Sequence, residues 1–167
     1  DNLLYSLAKV SVVMKDGQAS FKPDAARIEF GEKRNRIITP RVRVLKELFE
    51  SAGIRCVVPE DMERAIWFKY MCNVSENQSA AVLGISYGAW RVSGDANFIR
   101  EALMREVIAV ARKKGISLTE EDMEKQVRVL GAVPPGNKPS TLQDIEAGRM
   151  TEVEMFGGTM IRMGREL

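Results

Sequence analysis

The first thirty residues carry apolar positions spaced as in β-strands. The segment Lys9 to Met14 is β-branched and apolar, and Ala26 to Phe30 alternates apolar with polar residues before Gly31. Asp16-Gly17 lies between the two segments and is a typical turn dipeptide. These residues predict the edge of a β-sheet.

A helix is predicted next, because Thr39-Pro40 combines an N-cap residue with proline at the first helical position. Apolar residues repeat at helical spacing after it, and Gly53 stands where a C-cap glycine belongs. The short apolar run Ile54 to Val58 predicts a buried strand. The first 58 residues therefore have a mixed α/β pattern, which Pro59 ends.

Beyond Pro59 the strand-like alternation stops and helical periodicity takes over, so we predict a domain boundary between residues 58 and 59. The predicted helices run from Glu60 to Leu83, Asp95 to Lys114, Glu120 to Leu130, Thr141 to Ala147, and Glu152 to the last residue. Three glycines are expected to stop helices, namely Gly84, Gly115 and Gly148. The segment Gly131 to Pro139, here called the proline-rich loop, contains three prolines and is of the kind that borders binding sites.

Composition narrows the classes of function. The 25 basic and 23 acidic residues are interspersed, so the chain has no sustained positive field that would attract nucleic acid or an anionic membrane. No apolar run approaches the roughly 20 residues needed to cross a bilayer, and no signal segment opens the chain. We expect a soluble, cytoplasmic protein without nucleic-acid or membrane partners.

Histidine is absent, and Cys56 and Cys72 form no CxxC motif. Both facts argue against a zinc site and against a Cys/His or Ser/His nucleophile, so we expect no metal. Acid–base chemistry would then fall to Lys, Asp, Glu, Tyr or Cys. The chain begins at Asp1 and ends within a helical pattern, so both ends are expected to be cuts in a longer protein.

The helix from Glu60 is apolar almost all round, which predicts burial, but a polar stripe interrupts it. Lys69, Asn73 and Asn77 are spaced by four and should share one face. A buried ammonium must be paired, held in a wet cavity or shifted toward its neutral form, and a cleft for a polar ligand would explain the stripe. The alternative is a solvent-facing stripe in which Glu76 or another carboxylate neutralises Lys69, although asparagine is a poor helix former.

Two further polar residues stand at predicted helix starts. Ser140 opens an S-x-x-Q capping box that ends at Gln143, and a serine at this place would also favour a bound carboxylate. Glu152 follows Thr151, a good N-cap residue, so the helix dipole alone favours an acid there. On these residues the structural and the ligand-binding interpretations stay open.

The order of these motifs resembles the ketopantoate reductase (2-dehydropantoate 2-reductase) family over nearly the whole chain. The similar stretches are Trp67-Phe68-Lys69-x3-Asn73-x3-Asn77, Leu83-Gly84, Ser140-Thr141-Leu142-Gln143-Asp144, Gly148-Arg149-x-Thr151-Glu152 and, for a late strand of the nucleotide-binding domain, Ala26 to Glu32. The resemblance implies a mainly α fold. A helical substrate and catalytic domain of the 6-phosphogluconate dehydrogenase C-terminal-like type would span residues 59–167, preceded at 1–58 by the last strands and helix of a truncated α/β (Rossmann) nucleotide-binding domain.

The resemblance further implies NADPH-dependent reduction of 2-dehydropantoate to pantoate, a step of pantothenate and coenzyme A biosynthesis. Lys69 matches the family's catalytic lysine, which donates a proton to the ketone oxygen as hydride arrives at carbon. Asn73, Asn77 and Ser140 match substrate-binding positions, as does Lys69. Glu152 matches the acid that organises the site and contacts the cofactor, so it is expected to be both catalytic and cofactor-binding.

The chain departs from the family in lacking a G-x-G-x-x-G motif, so most of the NADPH site is expected to be absent and the isolated chain to be inactive. Tyr87 replaces an asparagine that contacts substrate in some members, which leaves the 2-oxo acid open. Two alternatives remain: a related NAD(P)-dependent reductase of another 2-oxo acid, and a non-catalytic helical dimerisation or ligand-binding module. A homodimer is one expectation, because methionines that fill a core or a subunit contact recur near the end at Met150, Met155, Met160 and Met163.

Overall fold

The computed structural model of the chain describes residues 3–10, 12–15, 17–21, 24 and 26–167. It divides into two compact units, Asp1–Ile66 and Trp67–Leu167. This division lies within one helix, and the domain boundary between residues 58 and 59 stays a prediction.

The described residues of the first unit form five strands: β1 (Tyr5–Lys9), β2 (Val12–Lys15), β3 (Gln18–Phe21), β4 (Arg27–Gly31) and β5 (Cys56–Val57). One sheet has the order β1-β4-β5, with β1 antiparallel and β5 parallel to β4, while β2 and β3 pair separately as an antiparallel ribbon. The stretch from Lys9 to Met14, whose composition favoured strands, is shared between two of them, because Lys9 ends β1 and Met14 lies in β2. Gly17 has a φ of 75°, and Asp16 of the predicted turn lies outside the described residues.

Helix α1, Pro40–Ser51, begins and ends where the sequence predicted. Thr39 has the extended backbone of an N-cap, with φ −70° and ψ 157°, and Gly53 follows the helix with a φ of 71°. The Thr39 hydroxyl does not cap the helix and donates to Glu32 Oε1 at 2.8 Å. The helix packs on the sheet through an edge-on contact of Phe49 with Phe30, whose ring centroids are 5.2 Å apart.

The buried strand predicted from Ile54 to Val58 is shorter and more exposed than expected. Only Cys56–Val57 pairs, and in the described part of the chain it pairs only with β4. Val57 is 46% exposed, and Ile54, which precedes the strand, is 41% exposed.

Seven further helices follow: α2 (Met62–Cys72), α3 (Gln78–Leu83), α4 (Ala89–Val92), α5 (Gly94–Lys113), α6 (Glu120–Leu130), α7 (Ser140–Glu146) and α8 (Thr159–Glu166). Two π-helical turns interrupt this succession, the first at Asn73–Asn77 and the second at Glu154–Gly158. The long helix predicted from Glu60 is thus α2, the first π-turn and α3 in sequence.

The predicted helix stops are confirmed. Gly84, Gly115 and Gly148 have φ values of 64°, 78° and 64°, a left-handed conformation in which glycine has no Cβ penalty. Helix α4 was not predicted, because its four residues are too few to show a period.

The core of the helical unit surrounds α5. Its largest cluster of buried residues consists of Met71, Cys72, Val74, Met104, Val107, Ile108, Ala111, Ile116, Leu118, Met123 and Phe156. The first π-turn therefore lies against the centre of this unit.

Candidate active site

The polar stripe lies at the junction of α2 with the first π-turn. Lys69 belongs to the last turn of α2, and Asn73 and Asn77 are the first and last residues of the π-turn. Lys69 and Asn73 are half-buried, whereas Asn77 is 6% exposed. In an α-helix a step of four residues overshoots one turn by about 40°, but in a π-helix, which has more residues per turn, the same step falls short of a turn. The two deviations offset each other and keep Asn77 close to the line of Lys69.

Two buried serines accompany the π-turn. Ser75 Oγ donates to Met71 O at 2.8 Å, and Ser79 Oγ donates to Ser75 O at 2.6 Å. Hydroxyls that bond a carbonyl four residues back compete with the main-chain ladder and bend helices. The hydroxyls of Ser75 and Ser79 thus give hydrogen bonds to main-chain oxygens at the place where the α-helix changes to a π-helix.

Ser140 meets the stripe from a distant part of the chain. Its hydroxyl lies 3.5 Å from Asn77 Oδ1, to which it donates, although the two residues are 63 positions apart. The predicted capping box is wrong, because Pro139 occupies the N-cap position and makes no side-chain cap bond. Gln143 donates its amide to Lys138 O at 2.8 Å instead. As the first residue inside α7, Ser140 is left to face Asn77.

The proline-rich loop is confirmed and is fixed by main-chain hydrogen bonds. Tyr87 N donates to Asn137 O at 2.9 Å, and Gly88 N donates to Pro135 O at 2.8 Å. A Cβ on Gly88 would lie 2.7 Å from Pro135 Cβ and 2.9 Å from Pro135 O, so only glycine permits this approach. The loop ends one residue before Ser140, whose position it helps to set.

Glu152 is not joined to the other predicted site residues. Its side chain is exposed, and within the described ranges no hydrogen bond or ion pair connects its carboxylate to another residue. Its main-chain oxygen accepts from Phe156 N at 3.0 Å. The cap expected at Thr151 is not formed, because the second π-turn takes Val153 as its N-cap, without a side-chain bond.

Tyr70 connects the lysine helix to the segment that follows Glu152. Its hydroxyl donates to Phe156 O at 2.7 Å, and burial raises the pKa of this phenol. Its ring also contacts Trp67 edge-on, with centroids 5.8 Å apart. A tyrosine in a buried helix needs a partner for its hydroxyl, so the sequence indicates that a partner exists but not which one.

Glu76 is buried beside the stripe, with 7% exposure, and its Oε1 accepts from Gln126 Nε2 at 2.7 Å. Burial raises the pKa of Glu76 to about 7, against the opposing effects of the Gln126 hydrogen bond and of the charges of Arg100 and Lys69. No carboxylate among the described residues lies within ion-pair distance of Lys69. Lys69 thus acts on Glu76 only through space, and the solvent-facing ion pair considered from the sequence is not formed.

Over the residues that the structure covers, no group of three or more His, Cys, Asp or Glu is placed to hold a metal ion. Within the same residues, no helix combines the length and the apolar character that crossing a membrane requires.

The comparisons with known proteins all point to one family. Residues 61–167 match the domain family described as "Ketopantoate reductase PanE/ApbA C terminal". Among curated proteins, the chain is 29% identical over 126 residues to a 2-dehydropantoate 2-reductase of Halobacterium salinarum, covering 75% of this chain and 41% of that protein. It is 30% identical over 126 residues to that of Pyrobaculum aerophilum, covering 75% and 45%.

Solved structures agree with this family assignment. The crystal structure of 2-dehydropantoate 2-reductase from Methylococcus capsulatus superposes with a TM-score of 0.79 at 30% identity, covering 98% of this chain and 52% of that one. The mainly helical fold that the sequence predicted is thereby confirmed. The chain spans about half the length of the relatives and structures it matches.

Proposed function

Because the chain belongs to the ketopantoate reductase family, we propose that it is the substrate-binding and proton-donating part of an NADPH-dependent 2-dehydropantoate 2-reductase. The resemblance predicted from the motifs is confirmed at the level of the family. The choice of NADPH, the reduction of 2-dehydropantoate to pantoate for pantothenate and coenzyme A synthesis, and a cytoplasmic location are part of this proposal.

The observation that carries the proposal is the contact between Asn77 and Ser140 beside the Lys69 helix. Two polar side chains 63 positions apart approach to 3.5 Å, and Asn77 is kept near the line of Lys69 by the π-turn. An ammonium, an amide and a hydroxyl gathered in this way can bind the carboxylate and hydroxyl groups of a small oxo acid. Asn73 would add a second amide one turn away.

In the proposed reaction Lys69 donates its proton to the ketone oxygen of the substrate, so that the alkoxide charge never develops fully. A bound nicotinamide cofactor would supply the hydride for the carbonyl carbon. Lys69 then recovers a proton from solvent. Asn73, Asn77 and Ser140 orient the substrate, which converts binding energy into alignment.

One residue of the chain is proposed to meet the nicotinamide cofactor. Glu152 is exposed and its carboxylate has no bond to another described residue, so it would be available to the cofactor. We propose that Glu152 contacts the cofactor and helps to organise the site, and that the chain without a glycine-rich phosphate-binding turn binds NADPH weakly.

The test compares the complete gene product with its Lys69→Met variant, following NADPH oxidation in the presence of 2-dehydropantoate. The variant keeps side-chain length but has no proton to donate, so turnover should fall by roughly 10²–10⁴-fold. Lys125→Met is the matched control, because Lys125 is an exposed lysine of α6, and it should retain turnover. Equal turnover in wild type and Lys69→Met would refute the assigned role of the lysine.

The identity of the 2-oxo acid is tested separately. Tyr87 lies at the base of the proline-rich loop, where its ring contacts Trp90 edge-on with centroids 5.4 Å apart. A bulky side chain there favours the alternative that another 2-oxo acid is reduced. Turnover of a different 2-oxo acid at higher kcat/KM than 2-dehydropantoate would establish that alternative.

A further inference from the structure

One short segment of the helical unit holds the proline-rich loop in place. The residues from Tyr87 to Arg91, here called the anchoring segment, comprise the turn before α4 and most of that helix. The main chain of this segment donates from Tyr87 N and Gly88 N to the second half of the loop. Its last residue, Arg91, bonds the chain where α6 passes into the loop. Hydrogen bonds from five consecutive residues thus fix a stretch that has no regular structure of its own.

Arg91 reaches this stretch through one nitrogen of its guanidinium. Nη2 donates to Leu130 O at 2.8 Å and also donates to Val133 O. Leu130 is the last residue of α6, and an arginine is favoured beside the free carbonyls at the C-terminus of a helix. Arg91 therefore ties the end of α6 to the first turn of the loop, from 39 and 42 positions away in the chain.

The anchoring segment is itself fixed in the helical unit. Trp90, the residue before Arg91, is 5% exposed and belongs to a buried cluster that includes Leu130. The guanidinium carbon of Arg100, on α5, lies 4.9 Å from the centroid of the Trp90 ring. The Tyr87 ring contacts the same ring edge-on. Arg91 therefore extends toward the loop from a backbone that its neighbours hold in one place.

The far end of the loop is bonded to α7. Gln143 donates its side-chain amide to Lys138 O at 2.8 Å, and Lys138 Nζ forms an ion pair with Glu146 Oε1 at 2.6 Å. Both partners of Lys138 are residues of α7, whose first residue is Ser140. The loop thus joins the end of α6 to the piece of chain that carries Ser140. Where the Ser140 hydroxyl lies relative to Asn77 depends on how the loop is held.

We propose that Arg91 is a positioning residue, which acts through Ser140 on the binding of the 2-oxo acid. This inference rests on the function proposed above. With both carbonyls bonded to Arg91, the loop takes one path from α6 to α7, and the Ser140 hydroxyl stays beside Asn77 for a bound substrate. Without the guanidinium, the first half of the loop loses its hydrogen bonds to the anchoring segment. Ser140 then samples more positions and binds the substrate less tightly.

The kinetic test compares KM and kcat for the 2-oxo acid between the complete gene product and its Arg91→Met variant. Methionine keeps an unbranched apolar chain but cannot donate to the two carbonyls, and Arg91 is exposed, so the variant should fold. KM should rise on the order of 10-fold, which corresponds to the loss of about one hydrogen bond to the substrate. The kcat value should change much less, because Lys69 and its proton are not altered.

Two further variants separate positioning from a general loss of stability. Arg112→Met is the matched control, because Arg112 is also an exposed arginine that bonds a main-chain carbonyl, with Nε donating to Leu118 O at 3.0 Å. It removes the same kind of hydrogen bond away from the loop and should keep the wild-type KM. Arg91→Lys keeps a cationic donor for the two carbonyls, so its KM should lie closer to wild type than that of Arg91→Met.

A double variant tests whether Arg91 acts through Ser140. Ser140→Ala removes the hydroxyl that the loop is proposed to position and should raise KM by itself. In this background Arg91→Met should raise KM little further, because two residues that act through one group are not additive. Increases in KM that multiply in the double variant would refute action through Ser140.

Hydrogen exchange, followed by mass spectrometry, tests the anchoring without any turnover. The amides of Tyr87 and Gly88 donate to loop carbonyls, so their exchange reports whether the loop stays in place. In Arg91→Met the peptide that contains them should exchange on the order of 10-fold faster, as expected from the loss of a hydrogen bond to a charged donor. In Arg112→Met the same peptide should exchange as in wild type.

The outcomes separate the two proposals. An Arg91→Met variant with the KM or with the exchange of wild type would overturn the role of Arg91 while leaving the reductase activity established. Absence of turnover with every 2-oxo acid in a folded, NADPH-binding wild type would overturn the proposed function and the role of Arg91 in substrate binding together.

Discussion

Replacing Tyr70 with phenylalanine removes one oxygen atom from the link between α2 and the second π-turn. The lost hydrogen bond joins Tyr70 Oη to Phe156 O at 2.7 Å. The ring itself stays, with its edge-on contact to Trp67 and its tilted contact to Phe156. The substitution therefore isolates the hydrogen bond from the packing of the ring.

The expected loss in the free energy of unfolding depends on whether Phe156 O keeps a hydrogen-bond partner in the variant. Phe156 O also accepts from the main-chain N–H of Thr159, so the substitution does not leave a buried carbonyl without a partner. The cost should thus be close to that of an ordinary hydrogen bond, about 1 kcal/mol in the free energy of unfolding, rather than the larger penalty of an orphaned polar group.

Urea unfolding followed by tryptophan fluorescence measures this change. The two tryptophans, Trp67 and Trp90, both belong to the helical unit, so their signal reports on that unit. With ordinary urea m-values, a loss of about 1 kcal/mol lowers the midpoint by roughly 0.3–1 M. Tyr5→Phe is the control, since Tyr5 is 45% exposed in β1, and its midpoint should be that of wild type. A Tyr70→Phe midpoint equal to wild type would refute the reasoning.

Two further predictions concern the proline-rich loop and the first unit. Gly88→Ala forces a Cβ to 2.9 Å from Pro135 O and should lower the free energy of unfolding in urea by about 1–3 kcal/mol. Gly94→Ala is the control, because nothing lies within 4 Å of its new Cβ, and it should not destabilise the protein. Equal losses of unfolding free energy in the two variants would contradict this prediction. Hydrogen bonds from Arg41 lower the pKa of Glu32 to about 2, so their stabilisation is present above pH 4.5 and lost as the pH falls toward 2. Glu32→Gln should then show a shallower acid dependence of Tm by circular dichroism, and parallel profiles would count against it.

Helices whose ends carry strong capping residues could be predicted from the sequence. Thr39-Pro40 and Gly53 bracket α1, and Gly84, Gly115 and Gly148 end helices with positive φ. Such signals act on the backbone of the residue itself or of its neighbours. The separation of β2 and β3 from the main sheet could not be predicted, because strand pairing depends on partners far along the chain.

The candidate site was predicted in its residue types but not in its contacts. The spacing of Lys69, Asn73 and Asn77 indicated a shared face, and the structure keeps them on one helical segment. The role of Ser140 was left open, since a capping box is a local pattern while its contact with Asn77 spans 63 positions. The group that bonds Tyr70 could not be predicted, because it is the main-chain carbonyl of Phe156, 86 positions away, and a main-chain carbonyl has no sequence signature.

The first π-turn determines whether Glu76 or Asn77 lies on the same helix face as Lys69. In a continuous α-helix, Glu76 would lie seven residues after Lys69 and only about 20° from its line, while Asn77 would be about 80° away. Regular spacing thus predicts Glu76 beside Lys69, as in the ion-paired alternative. The wider π-turn rotates the later residues back, so that Asn77 takes that place and meets Ser140. Glu76 is turned toward α6, where Gln126 bonds it. The same local change of spacing therefore gives two neighbouring buried residues different partners, Ser140 for Asn77 and Gln126 for Glu76.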